Sequence, residues 1–286
     1  MSVKFAYVCD SGADLSVEEA EKLGIYVIRM PISIGKNTYM EGIDITNEQL
    51  IQALKEGKMA KTSQPILGDI VKKWDELLEQ YDGIFYIPLG KDFSNTCMTA
   101  YNLSQQEPYS GRVFVVQSNF IAYPIVKYLL WAKEQIEAGN SPAVVKQIIE
   151  TEGRIDACVI PENLEILKRG GRVSPAVAAM ASLLKIQPVL WLDDQGVSPL
   201  AKVRTLKKAY HKGVEAVSQN VDADEYEWMI IDADNRAMSN ELLPILQKAI
   251  GSNPIEQHIF NAIILSHAGP GTIGFGRIKK LYIKNN

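Results

Sequence analysis

FAYVCDSGADLSVEEAEKLGIYVIRMPISI, residues 5–34, decides the fold class. Phe5 to Cys9 is an uninterrupted apolar run of strand length that stops at the polar turn Asp10-Ser11-Gly12-Ala13-Asp14. Ser16 with Glu19 three residues later is a capping box, so a helix is predicted to about Leu23, after which Ile25 to Ile34 returns as a strand. Strand, polar turn, helix and strand in that order make a β-α-β unit. Ligands of open α/β sheets bind at the carboxyl ends of the strands, where the first polar turn falls.

The alternation continues outward from this stretch. Thr46 with Gln49 starts a helix to about Glu56, the polar turn Lys61-Thr62-Ser63-Gln64-Pro65 precedes a helix to Gln80, and Gly83 to Leu89 reads as a buried strand. Gly90 to Thr96 forms the next turn, with a helix through about Gln105. Arg112 to Val116 is a strand ending at Gln117-Ser118-Asn119, Ile121 to Glu137 is a long helix, and Ser141-Pro142 begins another. The prediction is an α/β protein whose N-terminal domain has a Rossmann-like, largely parallel sheet flanked by helices, with its loops on one rim.

From Asp156 the pattern changes. Cys158 to Ile160 and Val189 to Leu192 read as strands, and the acidic turn Asp193-Asp194-Gln195-Gly196 points to a hairpin and a mixed sheet. Leu206 to Val217 and Leu242 to Ile250 read as helices, and Trp228 to Ile231 and Ala262 to Leu265 as strands. Two domains are expected, 1–153 and a C-terminal α/β domain, 154–286.

Within the second domain, NLEILKRGGRVS, residues 163–174, is a short helical turn ending in Lys168 and Arg169, a Gly170-Gly171 corner and a third cation, Arg172. Cations suit the negative end of a helix, the glycines permit close backbone approach, and Arg172 offers a planar fork of donors for a carboxylate or phosphate. Ser174-Pro175 is an N-cap with the favoured first residue for a segment from Ala176 to Leu184. The small residues Ala176 to Ser182 suit either a cavity beside the helix or close helix packing.

The chain has 286 residues, 47% hydrophobic and 22% charged, with a formal net charge of -4 and a pI near 5.6. That balance argues against a nucleic-acid footprint. Cys9, Cys97 and Cys158 are widely spaced and lack a CxxC pair, which argues against a disulfide framework or zinc site, and no metal or cofactor is expected. No stretch of about 20 apolar residues suggests a membrane span, and the expected compartment is the cytoplasm.

Hydroxyl-rich turns at Ser11, Thr62-Ser63, Ser94-Thr96 and Ser118 each admit reading as a helix cap. Together, on one rim with helix N-termini behind them, they could receive an anion. Arg172 is otherwise a surface cation, Lys202 and Arg204 alternate as on a solvated strand face, and His267 is either a positioned functional group or a satisfied core histidine. Neither a GxSxG elbow, a GxxxxGK loop nor an HExxH motif occurs. Ser94 with His267 could form a nucleophile and base, so an acyl hydrolase is the alternative reading.

Six segments resemble the DegV family, the fatty-acid-binding subunits of bacterial fatty acid kinase: Asp10 to Leu15, Thr62-Ser63-Gln64-Pro65, Phe93-Ser94-Asn95-Thr96, Leu167 to Ser174, Lys202-Val203-Arg204 and His267 to Gly271. They stand in the family's order and span nearly the whole chain. The resemblance implies a non-enzymatic carrier that holds a long-chain fatty acid in an internal tunnel, its carboxyl near the domain junction. The carrier presents that carboxylate to a separate ATP-dependent kinase, and the acyl phosphate enters phospholipid synthesis. Partners would be the lipid and the kinase, with transient membrane contact allowed. It implies Thr62, Ser94 and His267 at the carboxylate, Arg172, Thr96 and Ser63 in a supporting network, and Arg204 and Lys202 facing the kinase. This chain departs from the pattern at Gly90-Lys91, where a Ser-Ser pair is usual, at Asn95, where glycine is usual, and at Ala268, where threonine is common.

Overall fold

A computed structural model describes residues 3–181 and 186–283. In chain order the first half contains β1 (Phe5–Asp10), α1 (Val17–Leu23), β2 (Ile25–Ile28), β3 (Pro31–Ile34), β4 (Asn37–Met40), α2 (Asn47–Lys55), β5 (Ala60–Thr62), α3 (Leu67–Leu78), β6 (Gly83–Ile87), α4 (Thr96–Ser104), β7 (Val113–Val115), α5 (Pro124–Glu137) and α6 (Pro142–Glu152). The second half contains β8 (Ile155–Ile160), α7 (Leu164–Gly170), α8 (Pro175–Met180), β9 (Gln187–Asp193), β10 (Gly196–Val203), α9 (Leu206–Ser218), β11 (Tyr226–Asp232), α10 (Arg236–Ile250), β12 (Ile255–Ile259), α11 (Ala262–Ala268) and β13 (Ile273–Lys279).

The chain forms two compact units: Met1–Thr46, Thr62–Gly153 and Leu281–Asn286 make the first, and Asn47–Lys61 with Arg154–Lys280 the second. This differs from a linear division into 1–153 and 154–286. Residues 47–61 join the second unit because α2 packs on α11, with Leu50 and Leu54 buried and Asn47 Nδ2 donating to Phe260 O at 3.2 Å.

The first unit is built on a four-stranded sheet of order β2-β1-β6-β7, parallel throughout. The capping box of Ser16 and Glu19 forms as the sequence indicates, with Ser16 Oγ accepting from Glu19 N. Ile70, Trp74 and Leu77 of α3 pack with Val8, Ile84, Tyr86, Val113 and Val115, and the Trp74 ring meets Tyr86 and Tyr109 edge-on at 6.2 and 5.2 Å. The strand expected from Ile25 to Ile34 is two strands. After Ile28 the chain leaves the parallel sheet: Met30 N donates to Ser11 Oγ at 2.9 Å, and Pro31, which has no N–H for a ladder, opens the antiparallel β3-β4 hairpin. β1 connects through α1 to β2 on one side, while β6 and β7 lie on the other, so the switch point falls between the carboxyl ends of β1 and β6.

The second unit holds a six-stranded mixed sheet, order β10-β9-β8-β13-β11-β12, in which only β11 and β12 are parallel. The acidic turn at Asp193 to Gly196 makes the expected β9-β10 hairpin, with Gly196 at φ +91° and Asp193 Oδ1 accepting from Gln195 N. Phe275, Trp228, Tyr210 and Leu246 anchor its core. Asp156, buried in this sheet, accepts from Arg277 Nε and Nη2 at 3.1 and 2.8 Å.

One expected strand is a helix. Ala262 to Leu265 belongs to α11, whose residues Ala262 to Ser266 are all buried and whose Ser266 Oγ donates to Ala262 O. A short apolar run fits a fully buried helix as well as a strand, and burial on every side removed the helical periodicity that would have distinguished them. The strands of this region are the flanking β12 and β13. Among the described residues no helix is long and apolar enough to cross a membrane. Trp74→Ala is expected to destabilise the first unit by about 3–5 kcal/mol, measured as a lowered midpoint in urea unfolding followed by circular dichroism.

Candidate functional site

In the first unit the candidate site lies at the switch point. Asp10, the last residue of β1, is 0% exposed; its Oδ1 accepts from Gly12 N and its Oδ2 from Leu89 N, each at 2.9 Å. Burial pushes its carboxyl up to about 6, opposed by the Leu89 and Gly12 amides and the Tyr86 hydroxyl. Ser11 Oγ accepts from Met30 N, and Ser118 Oγ accepts from Phe120 N. Both hydroxyls accept from backbone amides, Ser118 within its own turn and Ser11 from Met30 just before β3, so of the four hydroxyl-rich turns these two hold the backbone.

Ser94 differs. It follows a tight turn in which Gly90 O accepts from Phe93 N and Ser94 N, and its half-buried hydroxyl lies 2.7 Å from Thr96 Oγ1 while accepting from Thr96 N at 3.2 Å. Thr96 is fully buried at the start of α4. The pair thus presents a positioned hydroxyl beside a helix N-terminus. Thr62 ends β5, half-buried; exposed Ser63 donates its N–H to Pro31 O, and Gln64 Oε1 accepts from Thr99 Oγ1 of α4 at 3.4 Å.

Two of the departures from the family pattern, Gly90 and Asn95, have a clear backbone setting here. A Cβ on Gly90 would lie 2.6 Å from Asn119 C and Cα, so a serine there would force the two backbones apart. Asn95 sits at φ -69°, which any residue adopts, so the turn does not need glycine. Beside Ala268 the fully buried Thr272 donates its hydroxyl to Ala268 O at 2.7 Å. Thr272 was not singled out from sequence, although its place after Gly269-Pro270-Gly271 marks it as a corner residue. Gly269 to Gly274 also has the Gly-x-Gly-x-x-Gly spacing of a dinucleotide loop, but it joins a helix to a strand, the reverse of the order that motif requires.

In the second unit β8 and β13 are antiparallel neighbours, Ile160 opposite Ile273, so α7 leaves and α11 arrives at the same rim. The two helices pack, and Gly170 touches His267: a Cβ on Gly170 would stand 2.7 Å from His267 Nδ1. Gly171 takes φ +71° and turns the chain so that Arg172 Nη1 donates back to Gly170 O at 2.8 Å. The two glycines therefore have different duties, close approach for the first and a left-handed conformation for the second. Burial lowers the His267 pKa to about 4, with the Arg172 charge as the second cause and the Gly170 backbone hydrogen bond opposing. His267 is uncharged at neutral pH. Its depressed folded value stabilises the unit above about 6.5, the ordinary value, and this contribution is lost as pH falls toward 4.

Arg172 itself is exposed, as are Lys202 on edge strand β10 and Arg204 just beyond it. Of the segment expected from Ala176 to Leu184, α8 covers Pro175–Met180, capped by Ser174 Oγ; Ser182, Leu183 and Leu184 lie outside the described residues. The hydroxyl partner of Ser94 is Thr96, and all three histidines belong to the second unit. Cys9, Cys97 and Cys158 are buried thiols whose pKa values burial pushes up, which makes them poor nucleophiles.

A family model described as "Uncharacterised protein, DegV family" matches residues 4–280. A DegV domain-containing protein of Halalkalibacterium halodurans is 28% identical over 276 residues, which covers 95% of this chain and 97% of that protein. Among solved structures, a DegV family protein from Thermus thermophilus described by its fatty acid binding aligns with a TM-score of 0.85 and 26% identity over 97% of this chain and 100% of that one. DegV of Bacillus subtilis, described as a fatty acid binding protein, aligns with a TM-score of 0.82 and 27% identity over 98% and 100% of the two chains.

Histidine NMR titration is expected to place the His267 midpoint at about 4 and to move it upward in Arg172→Ala, though short of the ordinary 6.5 because burial remains.

Proposed function

The chain belongs to the DegV family, and from that premise we propose that it binds one long-chain fatty acid in an internal tunnel. The carboxylate is received by Thr62, Ser94 and His267, with Arg172, Thr96 and Ser63 in support. The observation that carries this reading is the Ser94–Thr96 hydroxyl pair at the switch point of a parallel sheet. The fatty acid binding described for the Thermus and Bacillus relatives supports it.

The chemistry is self-consistent. Burying about a dozen methylenes at roughly 0.8 kcal/mol each supplies on the order of 10 kcal/mol before association costs. A buried carboxylate then needs only a few donors to offset its desolvation. Hydroxyls supply such donors without bringing a counter-charge, and an uncharged imidazole beside them likewise leaves the lipid's charge intact. The bound group accordingly keeps the nucleophilic oxygen that a phosphoryl transfer needs. We propose further that the protein is a carrier without turnover of its own. It presents this oxygen to a separate ATP-dependent fatty acid kinase, with Arg204 and Lys202 on the face that meets it, and the acyl phosphate feeds phospholipid synthesis. The exposure of both cations supports that assignment.

Native mass spectrometry of the purified protein is expected to show close to one fatty acid per chain. Ser94→Ala is expected to weaken retention about tenfold or more, the scale of one hydrogen bond to a charged group. With kinase and ATP, Arg204→Ala is expected to slow acyl phosphate formation at unchanged lipid retention. A chain without lipid after incubation with varied fatty acids overturns the carrier reading, and acyl-ester turnover abolished by Ser94→Ala replaces it with hydrolysis.

A further inference from the structure

Asp10 carries a buried carboxylate that the lipid-binding reading leaves without a role, and three loops of the first unit meet around it. We propose that Asp10 is a positioning residue, whose carboxylate holds the Leu89–Thr96 turn so that the Ser94 hydroxyl faces the ligand. The ligand in this statement rests on the fatty-acid reading above; the positioning does not.

The path from carboxylate to hydroxyl is continuous. Oδ2 accepts from Leu89 N; the next residue, Gly90, donates its N–H to Phe120 O at 2.8 Å and accepts at its carbonyl from Phe93 N and Ser94 N at 3.0 and 3.1 Å. Ser94 Oγ then meets Thr96 Oγ1 and accepts from Thr96 N. Oδ1 accepts from Gly12 N, and Gly12 O accepts from Ala122 N at 2.8 Å, which brings in the loop after β7. The β1 and β6 turns are in close contact, since a Cβ on Gly12 would stand 2.7 Å from Leu89 Cβ. Asp92 N donates to Asn119 Oδ1 at 3.0 Å, and Asn119 Nδ2 donates to Asp92 Oδ2 at 2.6 Å, closing the ring of loops.

The site demands a carboxylate because two N–H groups converge on one side chain. An amide of the same shape would turn its own N–H₂ toward one of them, and a protonated carboxyl would lose one acceptor. The charged and titratable groups facing Asp10 are Glu41, itself paired with Arg29 at 2.7 Å, the Tyr86 hydroxyl, and the thiols of Cys9 and Cys97. None of them offers Asp10 a direct counter-charge, so the two amides carry most of the stabilisation of its ionised form.

The test is amide NMR on the full chain together with displacement of a fluorescent fatty acid by oleate. The comparison uses wild type, Asp10→Asn and a core control in the same unit, Ile70→Val, chosen for a similar thermal shift. Asp10→Asn is expected to shift the Leu89, Ser94 and Thr96 amides and to weaken oleate binding about tenfold, while Ile70→Val leaves both as in wild type. In wild type the Gly12, Leu89 and Ser94 amides are expected to titrate together near pH 6, following the carboxyl; this arm needs no variant to fold. Ser94 and Thr96 amides that ignore that titration, or an Ile70→Val that weakens oleate as much as Asp10→Asn, overturn the proposal. Wild type that never binds oleate removes the fatty-acid reading and the ligand with it, whereas the amide titration still decides whether Asp10 holds the turn.

Discussion

The carboxylate of Asp10 is the constraint on which the first unit's rim depends. A parallel sheet delivers its strands' carboxyl ends to one edge, but leaves the backbone amides of the following loops to find partners. Here one buried side chain accepts from the amides of two loops, and their neighbours complete a third. Desolvation opposes the charge and pushes its pKa up, while the converging N–H groups oppose that rise. The sign follows from the folded value lying above the ordinary 3.8: stability from this group is full at low pH and declines as pH rises through about 6. His267 in the second unit has the opposite sign, so acid affects the two units in different directions.

The second unit solves a comparable problem by close approach rather than by charge. Gly170 lets the end of α7 lie against His267, and Gly171 lets the chain reverse so that Arg172 returns to the Gly170 carbonyl. The guanidinium charge thereby helps keep His267 neutral.

Much of this was legible in the chain. Apolar runs of strand length, each followed by a polar turn, mark a parallel α/β sheet, and the Ser16–Glu19 box, the Asp193–Gly196 hairpin and the Ser174-Pro175 helix start formed as their side chains dictate. Gly170-Gly171 was legible as a corner, though not the distinct duty of each glycine. Ala262 to Leu265 was misread because burial on all sides erases periodicity, and Ile25 to Ile34 because the bend after Ile28 is imposed by Ser11 from a different loop. Ser11 and Ser118 had the same sequence signature as Ser94; only their partners distinguish them.

By itself, then, the sequence determined what depends on neighbours along the chain: element type, caps, turns, the family and the residue types at its rim. Tertiary structure decided what depends on neighbours across it. It made Asp10 a shared acceptor, assigned Gly90 to a backbone contact with Asn119, gave residues 47–61 to the second unit and lowered the pKa of His267. The physical reason is that periodicity and capping are local, whereas desolvation, close approach and the pairing of buried polar groups require partners that only the folded chain brings within reach.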